Sequence, residues 1–368
     1  MKQTTGAHAL FRADASPGIG TGHIVRCRTL AEELQRRGWT VSLASRDLPP
    51  ELARSIRGSE MELIELDAET DLDAEHAVIA DQIVRPVTLA VVDHYGIGVD
   101  WQRAAGVWAE RMMAVDDLAD RFQAVDLVLN QNPGPGPSRY RDLVPPAARI
   151  LDGPTYALVR PEFVAIRTRA DQVRPQGEPR HRGRVDRILV FMSGTDPHDV
   201  TGRAARAATA VGVPVDVVVG AAYPFLAPLR GWAAGQPLIE IHVDTHEMAA
   251  LMARADISIG APGSATWERC TLGLPTVLVT LADNQVETAR HLADIGAALD
   301  LGWHTAVTTA ELEDALVALA ADPARLKAMS DAAAGITDGQ GTVRVADELE
   351  RLAATTQPRS DAARPDRR

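Results

Sequence analysis

The feature that most constrains this chain is a strict alternation of short apolar runs with amphipathic stretches, occurring in two separate blocks. The first block reads HALFRAD, helix 22–37, TVSLASR, helix 50–57, MELIELD, helix 73–84, LAVVDHY, helix 100–109, RMMAVDD and LVLNQNP. The second reads RILVFMSGTDP, helix 199–210, PVDVVVG, LIEIHVD, helix 245–254, ADISIGAP, helix 264–273, PTVLVTL, helix 284–294 and AALDLG, with helices at 309–320, 324–333 and 341–353. Runs of four to eight apolar residues separated by helical periodicity specify parallel strands with helical crossovers. The expected fold class is therefore α/β, with two Rossmann-like, doubly wound parallel-sheet domains.

Between the blocks the pattern gives way to a Pro- and Gly-rich and then charged stretch. The expected boundaries are an N-terminal domain over 1–160, a linker over 161–185, a C-terminal domain over 186–354 and a disordered polar tail over 355–368. A length of 368 residues suits two such domains. Open parallel sheets bind ligands beyond the carboxyl ends of their strands, so the expected site is a cleft between the halves.

A net charge of −12 argues against a nucleic-acid surface, which needs clustered Lys and Arg. Cys27 and Cys270 lack metal-ligand spacing and read as buried thiols. The amino-terminal segment has no apolar signal core, and no run approaches the ~20 residues that span a bilayer. The expectation is a cytoplasmic protein without nucleic-acid or membrane partners.

The turn SPGIGTGH places Gly18, Gly20 and Gly22 before a helix, but the sixth position of the dinucleotide fingerprint is His23. A nicotinamide site is discounted accordingly, and no cofactor is expected. Ile24, Cys27, Ala31 and Leu34 face the sheet, which leaves His23 and Arg26 on another face near the positive helix end. A neutral imidazole there can take a proton from water. The plainer alternative is that His23 only closes the turn.

In the second block GAPGSATWE sets Gly260, Gly263, Ser264 and Ala265 at a helix start, suited to a diphosphate. Glu268, one turn in, is placed for a ribose diol, or it simply complements the helix dipole. Ser193, Gly194 and Thr195 follow the first strand of that block and form a second candidate loop. No H-E-x-x-H pattern or loop DxD triplet appears, so no metal is expected, and Asp116–Asp117 reads as strand-end punctuation. Asp14, Asp93 and His94 are secondary candidates to orient His23 or bind sugar hydroxyls.

Together RADASPGIGTGHIVRCRTLAEEL, VVDHYGI, VDDLADR, LNQNPG, SGTDP, GAPGSATWERCTLGLPTVLV and LADNQ, in this order over residues 8–300, resemble the UDP-sugar hydrolase family of pseudaminic acid biosynthesis. That family is similar to the two-Rossmann GT-B glycosyltransferases. The resemblance implies a monomer that takes a UDP-2,4-diacetamido-2,4,6-trideoxy-β-L-altropyranose substrate. It also implies water attack at the anomeric carbon, C–O cleavage and inversion, without metal. By carry-over His23 activates the water, while Tyr95 and Asn284 line the sugar site. The expected substrate-binding set is Asp14, Gly22, Arg26, Tyr95, Gly194, Thr195, Gly263, Ser264, Ala265, Glu268, Asn284 and Gln285. A GT-B glycosyltransferase and a non-catalytic nucleotide-sugar binder are the alternatives; acceptor-dependent UDP release marks the first and binding without conversion the second.

Overall fold

The computed structural model describes residues 6–15, 22–46, 48–67, 69–134, 136–173 and 181–355. The chain divides into two compact units, Met1–Leu158 with Gly341–Arg368, and Val159–Gln340. Unit 1 contains β1 (His8–Ala13), α1 (Gly22–Arg36), β2 (Thr40–Arg46), α2 (Pro50–Arg57), β3 (Glu62–Leu66), α3 (Leu72–Gln82), β4 (Val87–Asp93), α4 (Val99–Ala105), β5 (Ala109–Val115), β6 (Leu127–Asn130) and β7 (Arg149–Asp152). Its parallel sheet has the order β3-β2-β1-β4-β5-β6-β7.

Unit 2 contains α5 (Pro161–Val173), β8 (Ile188–Phe191), α6 (Val200–Ala208), β9 (Val215–Val219), α7 (Leu226–Ala233), β10 (Ile239–Val243), α8 (Met248–Arg254), β11 (Ile257–Gly260), α9 (Ala265–Leu272), β12 (Thr276–Thr280), α10 (Val286–Asp294), β13 (Ala298–Trp303), α11 (Thr309–Ala320) and α12 (Pro323–Ile336). Its parallel sheet runs β10-β9-β8-β11-β12-β13. Both sheets reverse strand order once, at β1/β4 and at β8/β11, and a doubly wound sheet opens a crevice at such a point.

The strands are buried on both faces, as parallel strands must be: β9 and β12 are enclosed along their whole length. On one face of the unit 1 sheet Ile24, Cys27, Leu30 and Leu34 of α1 join Phe11, Leu89, Val91 and Leu129 in one core. Among the described residues no helix is long and apolar enough to cross a membrane.

Three elements and one boundary differ from the sequence expectation. α5 occupies the expected linker: Phe163 is fully buried, and Arg167 donates to the carbonyls of Thr271 and Ala334 at 3.2 Å. β7 is only four residues long and follows a Pro-rich stretch. α7 contains Pro228, which sits in the first turn, where its missing N–H would have lacked a helical partner anyway. The last helix, α13 (Gly341–Ala353), belongs to unit 1 and not to the C-terminal domain: Val345, Ala346, Leu349 and Leu352 complete the α1 core. Arg37, immediately after α1, reaches Asp347 at 2.7 Å and Glu350 at 2.9 Å. Gly341 is required where α13 begins, because a Cβ there would fall 2.2 Å from the Ala157 carbonyl oxygen. Residues 356–368 of the expected tail lie outside the described residues.

Candidate functional site

In unit 1 the reversal between β1 and β4 brings the start of α1 beside the end of β4. Gly22 is the first helical residue of α1; Gly18 and Gly20 lie outside the described residues. His23 is 6% exposed, and its Nδ1 lies 2.5 Å from Oδ1 of Asp93, whose side chain is fully enclosed. An ionised carboxylate can only accept, so Nδ1 carries the proton, and in the neutral form of the ring the lone pair is on Nε2. Among the described residues Nε2 has no hydrogen-bond partner.

Arg26, one turn along α1, grips Asp93 with both ends of its fork, Nε to Oδ2 at 2.6 Å and Nη2 to Oδ1 at 2.7 Å. The same guanidinium grips Asp117 at 3.0 and 2.8 Å. Such bidentate pairs fix direction as well as charge. Arg26 is 6% exposed and pairs with two carboxylates, so it holds the cluster together. Burial alone would raise the Asp93 carboxyl, but the Arg26 charge and the His23 contact outweigh it and hold the group well below the usual carboxylate range. Cys27 adds a thiol donor to Oδ2 of Asp93 at 3.6 Å, and burial pushes that thiol well up, so it stays protonated.

Tyr95 sets its ring edge-on to His23, with centroids 4.7 Å apart, and donates its hydroxyl to Asp117 at 3.0 Å. Burial, then the Asp117 charge, raise its phenol far above the ordinary value, which keeps it a donor. Asn132 donates to the other Asp117 oxygen at 3.0 Å. Asp116 behaves as strand-end punctuation, accepting the amides of Leu118 and Ala119. Asp117 does not: it is the second anion of the cluster, and its place at the end of β5, next to β4 in the sheet, is the signal that sequence reading passed over.

Asp14 and His94 form a separate cluster. Arg12 is fully buried and pairs with Glu75 at 2.7 and 2.9 Å and with both oxygens of Asp14. Asp14 also accepts the Arg46 amide at 2.8 Å and contacts His94 Nε2 at 3.1 Å. Since His94 Nδ1 accepts the Gly96 amide at 3.0 Å, both ring nitrogens are occupied and Nε2 carries the proton. The residue that orients His23 is thus Asp93, and neither Asp14 nor His94.

Burial would raise Asp14 by itself, but hydrogen bonds from His94 and Arg12 with the Arg12 charge carry it well below the usual range. A carboxyl depressed in the folded state adds stability that is complete above its unfolded value, near 3.9, and is lost as pH falls through the folded value. Asp14→Asn is therefore expected to flatten the decline in melting temperature between about pH 4 and 2, measured by scanning calorimetry.

In unit 2 the loops after β8, β11 and β12 leave the same edge of the sheet. Gly194 accepts the Gly220 amide at 3.0 Å, and a Cβ on Gly220 would strike that carbonyl at 2.4 Å. Thr195 is half-buried beside Asp196, whose amide is held by Ser193 Oγ at 2.8 Å. Gly263 lies next to Gln285, 3.7 Å from its Nε2 to a Cβ built on the glycine, so the β11 and β12 loops meet. Gln285 closes its own loop by accepting the Leu281 amide at 2.9 Å. Asn284 is half-buried in the same loop.

The start of α9 is closed by Thr266 N–H to Gly263 O at 2.9 Å and Trp267 N–H to Ser264 O at 3.2 Å. Among the described residues the amides of Ser264 and Ala265, ahead of these bonds, have no acceptor, as is usual at a helix start. Glu268 is buried, and Arg160 grips it at 2.7 and 3.1 Å, a partner that sequence reading missed because Arg160 is the last residue of the expected N-terminal domain, 108 positions away. Burial outweighs the Arg160 charge and leaves the Glu268 carboxyl above its ordinary value.

Asp216, Glu240 and His242 could together hold a metal ion, but Asp216 already accepts Arg187 and Arg254. Its β9 position is near the amino end of the strand, away from the loops above.

Comparisons with known proteins agree with the fold. MurG of Acinetobacter baumannii superposes with a TM-score of 0.64 at 17% identity, covering 94% of this chain and 99% of that one. The chain has the GT-B fold. Residues 235–347, within the second GT-B domain and into α13, match the glycosyltransferase family 28 C-terminal domain. Spore coat polysaccharide biosynthesis protein SpsG of Bacillus subtilis is 26% identical over 352 residues, 94% of this chain and 98% of its own length. UDP-2,4-diacetamido-2,4,6-trideoxy-beta-L-altropyranose hydrolase of Campylobacter jejuni is 26% identical over 288 residues, 78% of this GT-B chain and 96% of its own length.

Proposed function

We propose that this chain is an enzyme acting on a UDP-sugar, and that it hydrolyses UDP-2,4-diacetamido-2,4,6-trideoxy-β-L-altropyranose to UDP and the free sugar. The observation that carries the reading is the His23 arrangement: Nδ1 anchored on a buried carboxylate, Nε2 without a partner among the described residues, and Tyr95 alongside. A water oxygen forms the new bond to the anomeric carbon with inversion while Nε2 takes its proton. The bond to the diphosphate oxygen breaks and its electron pair leaves with UDP.

As the imidazole gains charge, Asp93 and Asp117 against Arg26 supply a net negative neighbourhood that stabilises it. In this reading the α9 start receives the diphosphate, Glu268 the ribose, and Tyr95 and Asn284 the sugar. The pairing of Glu268 with Arg160 leaves a lone pair on each carboxylate oxygen for a diol. The named relative from Campylobacter jejuni supports the sugar assignment.

Glycosyl transfer is the second reading, favoured by the match to a glycosyltransferase domain. Incubation with the UDP-sugar in ¹⁸O-water separates the two. UDP release without acceptor, with label on the sugar, is the expected outcome. Label on UDP means attack at phosphorus and removes His23 from the reaction, and release only with an added acceptor makes the chain a transferase.

A further inference from the structure

Among the described residues two arginines are fully buried, Arg12 and Arg269, and they differ. Arg12 is matched by Asp14 and Glu75. Arg269 is 1% exposed and has no carboxylate partner among the described residues. One terminal nitrogen donates to Ala261 O at 2.6 Å and Thr266 Oγ1 at 3.0 Å, whereas Nε and the other terminal nitrogen find no acceptor. Burial pushes the guanidinium down to about 10, with only Cys270 and Glu268 acting against it. Glu268 is itself engaged by Arg160.

The side chain folds back along α9 over the end of β11. A Cβ built on Gly260 would lie 2.0 Å from Arg269 Nη1, so glycine at 260 is what admits the cation. The charge therefore lies against Gly260 and Ala261, directly behind the 261–264 loop and beneath the positive end of α9. Leaving a buried charge unpaired is costly, and a protein keeps one where something else complements it.

We propose that Arg269 is a positioning residue for an anionic ligand, and that a nucleoside diphosphate on the 261–264 loop is the counter-charge the folded unit itself does not provide. This rests on the UDP-sugar reading above. Arg269 is enclosed and does not touch the ligand; it acts through the loop backbone it holds and through its fixed field, which needs no reorganisation on binding.

The proposal predicts effects of opposite sign. In the ligand-free protein, Arg269→Met removes an unpaired buried charge and leaves the melting temperature unchanged or raised. The same change weakens UDP binding by about tenfold or more, while uridine, which lacks the charge, changes by less than about twofold. Arg269→Lys, which keeps the charge, recovers most of the UDP affinity.

Calorimetric titration of UDP and uridine into the full chain and both variants, with melting curves of each, reads all three. Equal UDP affinity in wild type and Arg269→Met overturns the proposal. So does a Met variant that fails to fold, or one that loses UDP and uridine alike with a lowered melting temperature, since these mark a structural role. Wild type that binds no UDP defeats the nucleotide reading first and this inference with it.

Discussion

His23→Asn is expected to lower kcat by about 10²- to 10⁴-fold, the range general base catalysis contributes, with UDP affinity within about threefold of wild type. The asymmetry follows from where the residues sit. His23 belongs to unit 1, and the helix start assigned to the diphosphate belongs to unit 2. Asn retains a donor able to reach Asp93, so the buried carboxylate is not left unpaired and the fold should survive. It offers no basic nitrogen at the Nε2 position. Single-turnover assays with titration of UDP into the variant measure both quantities. Unimpaired turnover would take the proton transfer away from His23.

Much of the fold was legible because parallel strands announce themselves as short apolar runs between periodic helices, as in PVDVVVG and PTVLVTL. What stayed hidden was either masked by local chemistry or decided by tertiary structure. Pro228 and Gly231 disguise α7, and the charged surface of α5 disguises the helix that buries Phe163. Nothing in the amphipathic pattern of α13 says which sheet it will pack against; that choice is made by the complementary face of α1 and the ion pairs of Arg37.

The candidate site divides in the same way. His23 was legible from its place after the glycine turn, and Tyr95 only through the family resemblance. Asp117 and Arg160 were not, because each acquires its meaning only from a partner 91 or 108 residues away. The partners of Arg26 were hidden in the same way: the anions it meets in the fold are the protein's own Asp93 and Asp117.

Asp93→Asn is the sharper test of the cluster, because it changes charge and not shape. In wild type the carboxylate fixes the ring with the proton on Nδ1 and the lone pair on Nε2. An amide can present its NH₂ to Nδ1, which favours the other tautomer and places the proton where the base should be. A loss of about 10⁴-fold in kcat is expected, as for a triad whose orienting carboxylate becomes an amide, or roughly 5.5 kcal/mol of transition-state stabilisation. Stability should fall as well. Arg26 keeps Asp117 but loses a fully enclosed ionic partner, and breaking a buried pair from one side costs about 3 to 5 kcal/mol. Because the Asp93 carboxyl is depressed in the folded state, its contribution is complete above the unfolded value and vanishes as pH falls through the folded one. The stability gap between wild type and Asp93→Asn should thus narrow below about pH 4. Urea unfolding at several pH values measures the gap, and pre-steady-state kinetics at pH 7 measures the rate. A variant that is destabilised as expected yet turns over normally would make Asp93 a structural anchor for Arg26 and leave the orientation of His23 to other groups.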